Sequence, residues 1–467
     1  MKYAKKLLQP QHRIPLLGGI AATAVVGFGL FVLYSTFAAG PSVSLSATAV
    51  TPAGNASLVD DPTASGGEVL QFGVGPVDPG PGPDPGPGQA TCDAAGGSTL
   101  TVGGGGQYSS ISEAGSAAGP GDLILISGGT YDGFSVSNGG SSGSPIKYCG
   151  VPGEEVVIQN APSDRGIISI TGQSHLEFIN LIVRGSSNYG VYTDQSDNIT
   201  FRNFEVDTSQ DGGLVILATS NILVDGCKIH GTNSRGTSAN QEALTIGSGS
   251  SNFEVRYCEV YDNGEEGIDA KYNANANGKI HNNRVWNNRG PNIYVDSAVG
   301  VEIYNNISHS TTEGSKAGIT IAAETTYGGA ENPRESSNIQ IYNNVLYGNA
   351  GGGIDFWTES GGTISDVSVF NNTIANNQNA AIRVSTGSLS GNNPVFNNIL
   401  IGNAGGNGLQ MGDNFTGDAQ FVGGDDYKLQ PGSPAIDAGT SNGAPAFDLE
   451  NKPRPAGGGV DMGAYEQ

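Results

Sequence analysis

The sequence predicts an all-β chain, wound as a right-handed parallel β-helix of about 10–12 coils behind an N-terminal apolar segment and a Pro-Gly linker. Three observations predict it. The 467 residues include 74 glycines, only 7% aromatics and 14% charged residues, which disfavours bundles built from strong helix formers and suits short strands joined by tight turns. A unit recurs from His175 (HLEFINLIV), with further copies starting at Asn198, Asn221, Asn252, Asn277, Gly300, Asn338, Asp366 and Asn392, at steps of 23, 23, 31, 25, 23, 38, 28 and 26 residues. The seventh residue of each copy forms a column, Leu181, Phe204, Cys227, Cys258, Asn283, Asn306, Asn344, Asn372 and Asn398, and stacked asparagines of this kind bond amide to amide from coil to coil.

Taken in order, residues 1–13 are basic and residues 14–38 are apolar and uncharged. That length spans a bilayer, and the preceding basic residues keep the N-terminus in the cytoplasm. The expectation is a retained signal anchor, with cleavage near Ala38 as the alternative; either way the remainder is exported. Residues 39–74 form a stalk. Its run DPTASGGEVLQFG resembles the opening strands of a β-sandwich carbohydrate-binding module, but about thirty matching residues are far short of the roughly 100 such a sandwich needs. Residues 75–90 are a Pro-Gly linker, semi-extended at about 3.1 Å per residue where proline dominates.

The β-helix occupies residues 91–424. Each copy is an alternating strand, a corner, a second short strand, a polar turn and a G-φ-x-φ strand such as GLVIL, ALTIG, GIDAK, NIYVD, GITIA or GIDFW. Period-2 alternation marks strands, and a unit of about 23 residues buries its apolar face only by stacking on its neighbours, with coils about 4.8 Å apart. The longer steps place insertions at 231–240 and 324–337. Cys92 and Cys149 flank the start of the repeats, where a disulfide between them would cap the N-terminal end; four cysteines allow three pairings, and the sequence does not choose among them. Cys227 and Cys258 stack in one column and read as buried thiols, with a disulfide geometrically open to them.

The chain ends in KLQPGSPAIDAG, then DLENKPRP, then GVDMGAYE. This resembles the choice-of-anchor Q segment that closes many exported bacterial β-helix proteins, which implies a cap over residues 425–467.

In the G-φ-x-φ strands the apolar residues point inward and those between them outward. One outward column runs Tyr192, Val215, Thr245, Asp269, Tyr294, Thr320, Asp355, Arg383; the next runs Asp194, Leu217, Gly247, Lys271, Asp296, Ala322, Trp357, Ser385. Glu242 and Glu266 stack just before these strands, with Glu265 beside them. Stacked carboxylates repel, and a divalent cation relieves that repulsion.

The run Glu265-Glu266-Gly267-Ile268-Asp269, with Glu242 one coil upstream, resembles the acidic quartet of family 9 pectate lyases, although Glu stands for Asp at three positions. The resemblance implies a Ca²⁺ site at Glu242, Glu265, Glu266 and Asp269. It also implies β-elimination, in which a lysine or arginine removes the C5 proton of a uronate. The positions matching the family's base are Tyr294 and Thr320, so Lys271, Lys316 and Arg289 become the candidate bases, with His281 behind them. Tyr294, Asp296, Trp357 and Asp355 are candidate substrate contacts, the aromatic faces suiting a pyranose ring.

The favoured reading is a Ca²⁺-dependent lyase of an acidic, uronate-containing polysaccharide, monomeric and tethered to the membrane. A non-catalytic adhesin or binder of cell-surface glycan is the alternative, and a glycosidase using Asp355 with Glu324 is third. Beyond residue 39 the chain carries 44 acids against 17 bases, which excludes nucleic acid as a partner on electrostatic grounds.

Overall fold

The computed structural model describes residues 91–162 and 165–467, together with Gly86, Gly88 and the backbones of two strands, Ala56–Asp60 and Glu68–Phe72, which pair with each other. The expected membrane segment, the rest of the stalk and nearly all of the linker lie outside the described residues. Among the described residues no helix is long and apolar enough to cross a membrane.

The repeats form a parallel β-solenoid of about 12 turns. Each full coil adds one strand to each of three faces. On the first face, Ile222, Phe253, Gly278, Val301, Ile339 and Val367 are in register. The second is built from three-residue strands such as Lys228–His230, Glu259–Tyr261 and Arg284–Trp286. The third carries the G-φ-x-φ strands, among them Leu214–Leu217, Leu244–Gly247, Ile268–Asn273, Ile319–Ala323 and Ile354–Thr358. One apolar core runs inside the coils from Leu100 to Leu400. In its first half Phe134, Tyr148, Phe178 and Phe201 stack at centroid spacings of 5.2, 5.1 and 5.3 Å.

The recurring Asn-Asn pair has a two-part explanation. Its first member holds the left-handed conformation that turns the corner, at φ of 55°, 54°, 53°, 51° and 55° for Asn282, Asn305, Asn343, Asn371 and Asn397; asparagine tolerates that region far better than most residues. Its second member is buried and bonds to the next coil. Asn283, Asn306, Asn344, Asn372 and Asn398 each donate from Nδ2 to the following Oδ1 at 2.9–3.0 Å, and Asn414 ends the series. A second, broken ladder occupies the next corner, where Asn263 bonds Asn288 and Asn349 bonds Asn377.

Cys92 and Cys149 form a disulfide, one of the pairings the sequence left open, with Cα atoms 5.8 Å apart. The expectation of buried thiols at Cys227 and Cys258 is corrected: they also form a disulfide, their Cα atoms 4.4 Å apart. Stacking on adjacent coils brings the two side chains within bonding reach with no movement of the backbone.

A short helix, Ile111–Ala117, packs Ile111 and Ala114 onto the first coils; the Ser110 hydroxyl caps it by accepting from Glu113 N at 3.2 Å. At the other end an antiparallel hairpin, Phe421–Gly423 with Asp426–Leu429, leads into an irregular segment. This segment clasps the corner of the last coils through Asn343 to Phe447 O, Asn397 to Thr440 O and Gly463 N to Asn397 O. Inside it, Arg454 Nη1 pairs with Glu466 Oε2 at 2.7 Å, both side chains buried. Removing one partner of a buried pair strands the other charge. Arg454→Met is therefore expected to cost the segment about 3 kcal/mol and to split an early transition from the main one in chemical denaturation; a single unshifted transition would contradict this.

Candidate functional site

The third face places the outward columns in the expected register. Thr245, Asp269, Tyr294, Thr320, Asp355 and Arg383 are successive strand partners, as are Gly247, Lys271, Asp296, Ala322 and Trp357. Outward does not mean exposed here. Asp269 and Asp296 are buried, and Lys271 is 13% exposed. The insertion after Ala323 folds back over the face. Asn332 fixes its course by donating to Glu324 O and Tyr327 O, and Gly328 lies against the Tyr272 ring, so close that a Cβ there would meet it at 2.6 Å.

At the centre Lys271 leans back one coil. Its ammonium bonds Glu242 Oε2 and lies 3.4 Å from Asp269 Oδ2. Thr245 Oγ1 donates to the same Glu242 oxygen at 2.9 Å. Burial pushes the Glu242 carboxyl up, but Lys271, Thr245 and Asp269 together hold it below the ordinary glutamate value. Asp269 goes the other way: burial, with Glu242, Glu266 and Asp296 nearby, raises it well above the usual range, and its Oδ1 is buried with no hydrogen-bond partner. Glu266 is pushed up to about 7, by burial first and then by Glu242 and Glu265.

On the next coil Asp296 is also raised to about 7, by burial and by Glu324. Its Oδ1 accepts from Ser297 Oγ at 2.9 Å and from Glu324 N at 2.8 Å. Glu324 Oε1 accepts from Tyr294 OH at 2.9 Å, and its Oε2 lies 3.5 Å from Tyr272 OH. The structure thus gathers Glu242, Glu266, Asp269, Lys271, Tyr294, Asp296 and Glu324. Tyr272, the last residue but one of its strand and in the left-handed region at φ 57°, is the member the sequence reading missed; the length of the 324–337 insertion was its only signal.

Several candidate roles are corrected. Lys271 is held by two carboxylates, which drive its pKa up against burial and keep it protonated, so it is a poor proton acceptor. Arg289 bridges Glu265 and Glu313, at 2.7 Å to each. Asp355 is paired with Arg383 at 2.8 Å, and Glu324 with the tyrosines, so these two do not form a free acid–base pair. Tyr294 has its hydroxyl tied to Glu324, and burial raises its pKa well above the usual value. His281 belongs to the first face, where it contacts Glu254 and stacks on Tyr304. Trp357 keeps its place on the third face, partly exposed, separated from Asp296 by the small Ala322. Lys316 forms no ion pair among the described residues, yet its charge lowers both Glu265 and Glu266.

The expected Ca²⁺ ligands do not fit the ion. Glu242 and Asp269 already share the Lys271 ammonium, and Glu265 is taken by Arg289. Only Glu266 lacks a cationic partner within ion-pair distance among the described residues, and no group of three or more acids, histidines or cysteines there is arranged to hold a metal. A separate groove of about 410 Å³, lined by Glu154, Asn180, Asn203, Glu205 and Lys228 among others, lies on the earlier coils.

A family model described as the right-handed β-helix region matches residues 166–361. Curated proteins give no match to the sequence. Among solved structures, the pectate lyase Pel9A aligns at a TM-score of 0.50 and 17% identity, over 80% of this chain and 98% of that one. The family PL6 polysaccharide lyase from Pseudopedobacter saltans aligns at 0.45 and 14%, over 74% and 99%. An alginate lyase from a Paenibacillus species aligns at 0.39 and 15%, over 68% and 98%. Identity at these levels carries the fold and not the chemistry. The chain has a right-handed parallel β-helix fold.

Proposed function

We propose that the protein acts on polysaccharide at the third face, and that it cleaves a uronate-containing chain by β-elimination. The observation that carries this reading is the shielded cluster on adjacent coils: Glu266, Asp269, Asp296 and Tyr294 around Lys271. A purely structural solenoid gains nothing from burying so many acids, because each raises the others' cost of ionising. Catalytic sites use that arrangement to keep carboxyls near the working pH.

In the elimination a base takes the C5 proton, the electrons form a C4–C5 double bond, the C4–O bond breaks, and the departing oxygen takes a proton. Glu266 and Asp296, held near neutrality, handle the protons. Lys316, free of ion pairs among the described residues, faces the uronate carboxylate, whose charge must be neutralised for the C5 proton to leave. The partly exposed Trp357 ring supplies a stacking surface further along the face.

The test is to incubate the full chain with polygalacturonate, alginate or glycosaminoglycans and to follow the ultraviolet absorbance of the unsaturated uronate product. A rise is expected on one of these substrates, falling about 100-fold in Asp296→Asn. A second reading, glycan binding without cleavage, is favoured by the locking of Lys271 and Arg289 in ion pairs. Retention of the chain on an immobilised acidic glycan, with no rise on any substrate, would select it and sink the lyase.

A further inference from the structure

We propose that Lys271 is a built-in substitute for a divalent cation, so that the acidic site on the third face takes up a metal only once that lysine is removed. The inference concerns ion occupancy and stands whether or not the site is catalytic.

The geometry supports it in three ways. The Lys271 ammonium lies between Glu242 Oε2 and Asp269 Oδ2, two oxygens from adjacent coils of the kind a divalent ion bridges. The side chain reaches Glu242 by crossing Gly247, its strand partner on the preceding coil; a Cβ at Gly247 would sit 3.2 Å from Lys271 Cγ and 3.2 Å from its carbonyl oxygen. Glycine at that position therefore leaves the path the lysine needs. Asp269 Oδ1, buried and without a partner, is a ligating oxygen that one ammonium leaves unused. An ammonium brings one charge and three donors, whereas Ca²⁺ takes six to eight oxygens. Removing the lysine frees Glu242 and both Asp269 oxygens beside Glu266, with space where the side chain lay.

The experiment uses terbium as a luminescent stand-in for calcium. Tyr272 and Tyr294 border the cluster, so energy transfer from tyrosine reports on this site above the background of a strongly acidic surface. The full-length chain is titrated with Tb³⁺, then with competing Ca²⁺, beside Lys271→Gln and the double variant Lys271→Gln/Asp269→Asn. Thermal unfolding is followed with Ca²⁺ and with chelator. The native chain is expected to give no saturable signal and the same unfolding midpoint in both conditions. Lys271→Gln is expected to gain one saturable, Ca²⁺-competed site and a Ca²⁺-dependent rise in midpoint, both lost in the double variant. A Lys271→Gln chain that folds only with Ca²⁺ present would support the proposal equally. Stoichiometric, Ca²⁺-competed binding by the native chain that disappears in Glu242→Gln would overturn it, and so would a folded Lys271→Gln chain that gains no site.

Discussion

Asn344→Ala is expected to destabilise the solenoid by about 5 kcal/mol, among the largest effects of any single substitution in the chain. The two Nδ2 hydrogens of Asn344 serve Ile303 O at 2.9 Å and Asn372 Oδ1 at 2.9 Å, one of them shared with Tyr342 O at 3.0 Å, while its Oδ1 accepts from the backbone and side-chain nitrogens of Asn306. An ordinary hydrogen bond contributes about 1 kcal/mol net, but stranding a buried partner costs about 1–3 kcal/mol for each group. Alanine would take the acceptor from both Asn306 nitrogens in a column that excludes water, and would leave the Asn372 oxygen with the backbone N–H of residue 344 alone. Asn344→Asp should cost about as much, because a carboxylate offers no donor to the three oxygens and buries a charge. Denaturant titration checks both; a change below about 1 kcal/mol would mean that water or a neighbouring coil replaces the lost bonds.

Glu266→Gln is expected to lower turnover about 1000-fold while making the chain more stable at alkaline pH. Glu266 and Asp296 are raised to about 7 in the folded chain from ordinary values of 4.5 and 3.8. Between those limits these two groups bind more protons in the folded state than in the unfolded one, so their contribution to stability falls as pH rises from about 4 to about 7 and levels off above that. Glutamine cannot ionise beside Glu242 and Glu265. The variant should therefore show a shallower fall and, near pH 8, a gain of about 2 kcal/mol, discounted for the water that still reaches this side chain. Unfolding midpoints measured across pH 5 to 8 read this directly. Parallel curves for the two proteins would show that Glu266 ionises freely and would remove it from the acid–base role.

The parts of the fold fixed by periodicity were legible in the sequence. Alternation and coil spacing put Asp269 opposite Tyr294 and Lys271 opposite Asp296, and the Asn-Asn recurrence marked a corner ladder. Asn414 was hidden because its coil lacks the preceding strand pattern. The second ladder was hidden because Asn263, Asn288, Asn349 and Asn377 follow strands of only three residues, with Thr311 interrupting the series. At the site, which residues share a face was legible, but how deeply they are buried was not. Depth depends on the path of the 324–337 insertion across Tyr272, and a loop's course is not encoded in any period. Nor does the alternation tell that Lys271 leans across Gly247 to Glu242; that direction follows from a missing side chain on the neighbouring coil.

The corner column that begins at Leu181 is apolar through Phe204 and becomes amide from Asn283 onward, with Cys227 and Cys258 bonded between the two halves. A solenoid unravels coil by coil from its ends, so fraying in this molecule has two fronts moving through material of different cohesion. Both run into a covalent stitch at the coils that carry Glu242, Glu266 and Asp269. Opening of the acid cluster by partial unwinding is blocked at that seam, and slow amide exchange should persist there after both flanks have begun to exchange.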